Sequence, residues 1–414
     1  MFARIFDIRK DMGRVKEFKM MMEEKGDWPY GLEHKFVCTH HFDEPYLNKM
    51  IEENGEYGEC DYCGHKGSVC SMQNIMEHVS WKIHMYYDDV NEAGLLYADS
   101  FYDDENEVIP GFKRVGEYIA PKEAEYYEST WDLMEELGLI SDDDDLNKDI
   151  EEVFTTQEWI ERDILHEDYR RALFDKWKQF ADAVTHSRRF TFLATPEFLP
   201  LVKGDKIIES KDILSSLKDI IVAQKLVKTI KEGKILYRAR RVKDKYKSYG
   251  FPDITAAPHN AASANRMSPA GISLLYASYS QKTAIDECVG DKKDALLIGE
   301  FETKKDLVVL DLTKIPGPSF WMDGWQENQF LHSFNREITK RLDPKDTNLL
   351  QYIPTQVFTE FLRYMFTDKK GRRLDGMIYG SSKTIDKNIV LFCNQNDSRE
   401  FVVLKSIKVE AKAR

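Results

Sequence analysis

Asn265-Arg266-Met267-Ser268-Pro269-Ala270-Gly271 is the stretch from which the rest of this chain is best read. Its proline and glycine mark a turn. An arginine stands near its head, and the chain runs on into Leu274-Leu275-Tyr276-Ala277, an apolar run of strand character. Lys282-Thr283-Ala284 then opens a helix that carries Glu287. On the N-terminal side, Leu236-Tyr237-Arg238-Ala239-Arg240-Arg241 puts an arginine in or beside an apolar strand. On the C-terminal side, Asp375-Gly376-Met377-Ile378-Tyr379-Gly380-Ser381-Ser382 presents serines at a strand end, followed by Asn388-Ile389-Val390-Leu391-Phe392. Strands are predicted over 235–239, 295–301, 307–312, 376–379, 389–393 and 401–409 from β-branched and aromatic content. Helices are predicted over 283–289, 328–342 and 355–366. A mixed α/β domain over 231–414 follows.

Upstream, a region over 76–230 reads as largely helical. Thr155-Thr156-Gln157-Glu158 has the form of a capping box opening a helix. Leu173, Trp177, Phe180, Ala181 and Val184 make one apolar helical face. Ser210 stands where it would cap a helix burying Ile213, Leu214, Leu217, Ile220 and Ile221. Two acidic stretches, Asp103 to Glu107 and Asp142 to Asp145, read as exposed loops, because crowded carboxylates repel and stay solvated. The four aspartates lack the glycine and spacing of a calcium loop. The whole chain is therefore α+β.

Residues 1–75 hold a third feature. Cys38-Thr39-His40-His41, then 18 residues, then Cys60-Asp61-Tyr62-Cys63 gives two tight pairs at the separation that closes a tetrahedral metal site. Thiolate and imidazole together favour zinc over hard cations. Cys38, His41, Cys60 and Cys63 are the expected ligands, with His40, His65 and Cys70 as substitutes. Gly64 allows the turn behind the second pair. Four protein ligands leave no open position, so such a zinc is structural.

The charge is divided. Residues 201–414 hold 37 Lys+Arg against 27 Asp+Glu, a net of +10, whereas residues 1–200 hold 22 against 45, a net of −23. A basic C-terminal domain suits an anionic ligand such as a pyrophosphate. The acidic half disfavours nucleic acid. The longest apolar runs are too short to span a bilayer, and Met1 to Phe6 lacks the apolar core of a signal peptide, so a cytoplasmic protein is expected.

Each of the polar residues quoted from the C-terminal region has an ordinary structural reading on its own. Glu287 on a helix is usually solvated, a serine ending a strand is usually a turn residue, and an arginine beside a strand is usually a surface ion pair. Their order changes the weighting. Arg238, Arg266, Tyr276, Glu287 and Ser381, spread over 235–393, resemble the RES domain: an arginine in the first strand, an Arg-led turn, a tyrosine, a glutamate one helix later, and a Tyr-x-Ser strand end. The zinc cluster and the Trp- and Phe-bearing helices resemble the HEPN/RES N-terminal domain that precedes RES in some bacterial proteins. The chain departs from the common family pattern at Met267, where tryptophan is usual, and at Gly380, where proline is usual; the second leaves Ser381 and Ser382 as alternatives.

The resemblance implies a fold related to ADP-ribosylating toxins and NAD⁺ as substrate, with phosphate, water or a protein accepting ADP-ribose. It implies a toxin, in the manner of an antiphage-defence effector, with a protein regulator or neutralising partner. In that reading Glu287 faces the ribose, Arg238 and Arg266 clamp the pyrophosphate, Tyr276 meets nicotinamide or ribose, and Ser381 bonds to phosphate or the acceptor. Arg240, Arg241, Asp286 and Ser382 remain structural. A ribonuclease in the N-terminal half is disfavoured, since Arg162 and His166 have only three residues between them where HEPN ribonucleases have four to six. An interaction or sensor module is the expectation there.

Overall fold

The computed structural model describes residues 31–98, 110–122, 124–162, 169–190, 201–203, 206–208, 213–288, 295–340, 349–381 and 383–410, with Met20 and Glu24. The chain forms two compact units, one made of residues up to Glu167 with Pro318–Trp325, the other of Asp168–Gly317 with Gln326–Arg414. No helix among the described residues is long and apolar enough to cross a membrane.

In the N-terminal unit, β1 (Phe36–Cys38) is followed by α1 (Pro45–Asn54), whose first turn is closed by Glu44 accepting from the Tyr46 and Leu47 amides. Strands β2 (Glu56–Glu59) and β3 (Lys66–Ser71) complete an antiparallel sheet in the order β1-β3-β2. The long helix α2 (Met72–Tyr86) buries Met72, Ile75, Met76, Val79 and Ile83, spaced three and four apart, on one face. Beyond it come β4 (Tyr87–Asp89), β5 (Leu96–Tyr97), β6 (Phe112–Val115), β7 (Tyr118–Pro121) and β8 (Tyr126–Tyr127). Helices α3 (Thr130–Glu136) and α4 (Asp144–Glu151) and strand β9 (Trp159–Glu161) follow. Two small antiparallel sheets result, β5-β7-β6 and β4-β9-β8.

The expectation of a largely helical stretch here is therefore corrected. Thr155 to Glu158 open no helix; they lead into β9, which pairs with β4 on one side and β8 on the other. Trp159 and Ile160 are fully buried in that position, and Tyr126 donates to Glu158 Oε2 at 3.1 Å. Long-range pairing and burial outweigh a local capping signal. The second acidic stretch is also not a free loop. Asp143 accepts from the Leu146 amide as the N-cap of α4, and Asp144 and Asp145 occupy its first turn, where carboxylates complement the helix dipole. Asp103 to Glu107 lie outside the described residues.

One core runs from Leu32 to Trp159 and takes in Trp321. Trp321 is fully buried and donates from Nε1 to Leu137 O at 3.0 Å. His78 Nε2 bonds to Trp321 O at 2.7 Å, and Lys82 Nζ to Met322 O at 2.8 Å. Burial lowers the pKa of Lys82 and, with help from the Lys82 charge, pushes His78 down to about 4.

In the C-terminal unit, α5 (Tyr169–Asp182) ends in a π-turn over Ala183–Ser187, and β10 (Leu201–Lys203) pairs with β11 (Lys206–Ile208). Then come α6 (Ile213–Ala223), β12 (Val227–Ile230), β13 (Ile235–Val242), α7 (Phe251–Ile254), β14 (Leu275–Ser278) and α8 (Gln281–Cys288). They are followed by β15 (Ala295–Thr303), β16 (Leu307–Asp311), α9 (Trp325–Thr339), α10 (Ile353–Tyr364), β17 (Gly376–Gly380), β18 (Lys387–Leu391), α11 (Ser398–Phe401) and β19 (Val402–Glu410). The expected strands and helices are all present with shifted ends. The apolar face predicted over 213–221 is buried, while Ser210 lies outside the described residues.

Eight strands make one sheet in the order β12-β16-β17-β18-β14-β13-β15-β19, antiparallel except for β16 against β17. Its central strands are apolar throughout because both faces are covered. Val390 and Met377 pack with Trp177, Phe180, Leu217, Phe330, Phe334 and Phe358 of α5, α6, α9 and α10. Ile389 and Leu391, pointing the other way, pack with Leu236, Ile254, Leu275 and Leu297.

Candidate active site

Four strands meet near the middle of this sheet, and their side chains line one cavity of about 560 Å³. Arg238, Arg266, Tyr276 and Glu287 all line it, and Ser381 joins them by donating to Glu287 Oε1 at 2.6 Å. The five residues singled out in the sequence are thus brought together.

Each is held by its own element. Between β13 and β14 the pairing is limited to Tyr237↔Ser278, so the Tyr276 carbonyl is free to accept from the Arg238 guanidinium. Arg238 Nε is out of solvent and has no hydrogen-bond partner among the described residues. Burial, and then the Arg240 charge, lower the Arg238 pKa to about 10, which leaves it charged at neutral pH. Arg266 Nη1 donates to Ile338 O at 2.6 Å and its Nη2 to Lys340 O, capping the C-terminal end of α9 as cations do. Its guanidinium also lies 5.4 Å from the Tyr352 ring centroid.

The turn that carries Arg266 is pinned by Gln356, whose Nε2 donates to Asn265 O at 2.8 Å and to Ser268 O at 3.3 Å. Met267 points away from the cavity, 1% exposed, and receives the Thr359 hydroxyl on its sulfur. A missing tryptophan at this position therefore takes no wall from the site. Aromatic walls come instead from Tyr237, Tyr276, Tyr352 and Tyr379. Burial pushes the Tyr276 hydroxyl up to about 12 and moves Tyr379 well above the usual phenol range, so both stay protonated. Tyr276 shares a 3.0 Å hydrogen bond with Ser268.

Glu287 sits near the end of α8. Its Oε1 accepts from Ser381 and, at 2.9 Å, from Asn388 Nδ2. Ser381 is oriented in turn by the Lys383 and Thr384 amides, which donate to its oxygen at 3.1 and 3.2 Å. Its turn-residue role and its contact with Glu287 are one and the same geometry. Ser382 lies outside the described residues. Arg240 and Arg241 donate to Asp253 O and Cys288 O, both at 2.8 Å, and Arg240 also lines the cavity. Asn388 and Tyr352 were not singled out in the sequence, whereas Tyr379 is the tyrosine of the Tyr-x-Ser strand end. Asn388 heads the apolar run to Phe392, a place that by itself carries no chemical mark.

In the N-terminal unit, one donor atom from each of Cys38, His41, Cys60 and Cys63 lies within 4.8 Å of the other three. Cys38 Sγ is 3.6 Å from Cys63 Sγ, and Cys60 Sγ is 3.3 Å from His41 Nε2. A tetrahedron with metal–sulfur bonds of about 2.3 Å spaces its corners by roughly 3.8 Å. The four donors therefore fit a single metal ion. Gly64, at φ +69°, makes the turn that lets its amide reach Cys60 O at 2.9 Å. The other side of the His41 ring, Nδ1, is 3.4 Å from Ser141 Oγ. His40 instead lies against His65, ring centroids 4.2 Å apart, and Cys70 is buried in the core.

Two family models match the sequence. Residues 53–198 match the family model described as HEPN/RES N-terminal domain 1, and residues 235–409 match the RES domain. The chain is a RES-domain protein carrying a HEPN/RES N-terminal domain ahead of the RES domain. Among solved structures, it is similar to one from the crystal structure of the M. tuberculosis MbcT–MbcA toxin–antitoxin complex, at 14% identity and a TM-score of 0.29. That match covers 47% of this chain and 92% of the other. No curated protein matches the sequence.

Proposed function

We propose that the RES domain consumes NAD⁺ by breaking the bond between nicotinamide and ribose, as a toxin-type enzyme. The observation that carries this reading is the meeting of Glu287, Ser381, Arg238 and Arg266 at one nucleotide-sized cavity, in a domain of the RES family. In the step proposed, the electron pair of the C–N bond goes to the pyridinium nitrogen, and nicotinamide leaves neutral. The ribose carbon gains positive charge, as in glycoside cleavage. The Glu287 carboxylate stabilises that charge. The oxygen of phosphate or water then bonds to the carbon, giving ADP-ribose 1″-phosphate, or ADP-ribose with release of the water's proton.

The Arg238 guanidinium, which lines the cavity, supplies charge and donors for a pyrophosphate. Arg266, with two nitrogens committed to carbonyls, offers its remaining donors and its charge. Tyr276, kept protonated, donates or stacks. The same domain, as a toxin, would have a neutralising protein partner. The cysteine–histidine cluster would hold a structural zinc, matched by its soft donors and closed coordination.

Mass spectrometry of NAD⁺ incubated with the purified protein, with and without phosphate, tests the reaction. Nicotinamide release is expected, falling by at least about 100-fold in Glu287→Ala. Intact NAD⁺ under both conditions, with no label transferred from NAD⁺ to any protein in a lysate, overturns the proposal. Label on a discrete protein band would make a protein the acceptor.

A further inference from the structure

Asn388 is 6% exposed on β18, with strands hydrogen-bonded on both sides: its Cα partners are Ser278 on β14 and Tyr379 on β17. Its amide orientation follows from the chemistry of its neighbours. A carboxylate only accepts, so the NH₂ of Asn388 must face Glu287 Oε1. The amide oxygen then faces Ser278, whose buried hydroxyl donates to Oδ1 at 2.6 Å. One buried bond and one half-buried bond thus hold the amide in one orientation. Among the described residues, the two side-chain donors to the Glu287 carboxylate, Ser381 and Asn388, meet on the same oxygen. Oε2 accepts from none of those residues and is left for the contents of the cavity that Glu287 lines.

We propose that Asn388, itself set by Ser278, is the positioning residue of Glu287: it saturates Oε1 and so presents Oε2 to the ribose. The idea rests on the NAD⁺ reading for its catalytic consequence, though not for its geometry.

The test is the ¹³C carboxyl signal of Glu287 at one neutral pH, on protein labelled at glutamate and assigned with Glu287→Gln, read beside the kinetics of nicotinamide release. Asn388→Ala, which removes a donor to Oε1, moves that signal. Ser278→Ala, which leaves Asn388 in place but unlocks it, gives a smaller change the same way and covers the case in which the Asn388 variant does not fold. In nicotinamide release, Asn388→Ala loses about 10–100-fold in kcat with KM within about threefold. An unmoved signal in both variants overturns the proposal, as does a loss confined to KM. Should the wild type release no nicotinamide, the functional reading falls while the carboxyl signal still decides the positioning role.

Discussion

The two units of this protein gather distant side chains by different physical means. The metal-type cluster of the N-terminal unit comes from two tight pairs, Cys38/His41 and Cys60/Cys63, joined across a three-stranded sheet. Its geometry is set by short-range turns such as that at Gly64, and its binding would be closed and structural. The cavity of the C-terminal unit comes from single residues on β13, β14, α8 and β18 and from the turns before β14 and after β17, brought together by sheet register and by helices packed on the sheet. A site made of knuckles is robust to strand register and depends on its ligand. A site made by register needs no metal and fails if one strand slips.

The largest expected effect separates the two on this point. Cys60→Ser removes one donor of the tetrahedral set, and metal binding in isolated zinc peptides is worth on the order of 10 kcal/mol. Elemental analysis should find about one zinc per wild-type chain and none in the variant. Calorimetry should show the N-terminal transition lost and the C-terminal one in place. Equal metal content in both proteins would remove the zinc assignment and with it this side of the comparison.

A smaller effect probes register. A Cβ on Gly376 of β17 would lie 2.4 Å from Val390 O and 3.1 Å from a Leu391 methyl. Backbone cannot yield there without breaking the β17–β18 ladder that sets Asn388 opposite Tyr379. Gly376→Ala should cost about 1–3 kcal/mol in the C-terminal transition, measured by denaturant titration, and leave the N-terminal one unmoved. An unaltered midpoint would show that the ladder tolerates displacement.

The smallest effect concerns the buried basic groups of the N-terminal unit. His78, neutral in the core and down at about 4, binds its proton in the unfolded chain near 6.5 but not in the folded one. Between those values the unfolded state holds more protons, so stability rises with pH and is lost as pH falls from about 6.5 toward 4. The slope from this group is at most about 1.4 kcal/mol per pH unit. His78→Gln, which can still donate to Trp321 O, should flatten the acid side of the N-terminal stability curve. A slope equal to the wild type's would assign it to other groups.

How much was legible follows the same division. Cysteine and histidine spacing is a local property, and it picked out the four donors, His41 over His40 among them. The order of Arg238, Arg266, Tyr276, Glu287 and Ser381 is also carried by the chain itself; the first four line the cavity, and Ser381 bonds to Glu287. Asn388 was passed over because a lone asparagine before an apolar run has no chemical mark until Ser278 and Glu287 stand beside it. Thr155 to Glu158 misled because a capping pattern is read locally, whereas Trp159 and Ile160 are claimed by two strands from elsewhere. The core that the RES domain shares with the helices before it was likewise invisible. Leu173, Trp177, Phe180 and Leu217 pack into the same core as Val390 and Met377, so a fragment beginning at residue 231 would lack part of its own interior.

By itself, then, the sequence determined the kinds of chemistry present: soft ligands in tight pairs, and an arginine–glutamate–serine series on an alternating strand and helix pattern. Only the tertiary structure decided which oxygen of Glu287 is occupied, which nitrogens of Arg266 are already committed, and that Trp321 belongs to the N-terminal core. Composition and spacing are one-dimensional and survive any folding of the chain. Hydrogen-bond partners across a sheet depend on register, which is set by burial summed over many strands and is written in no single stretch of them.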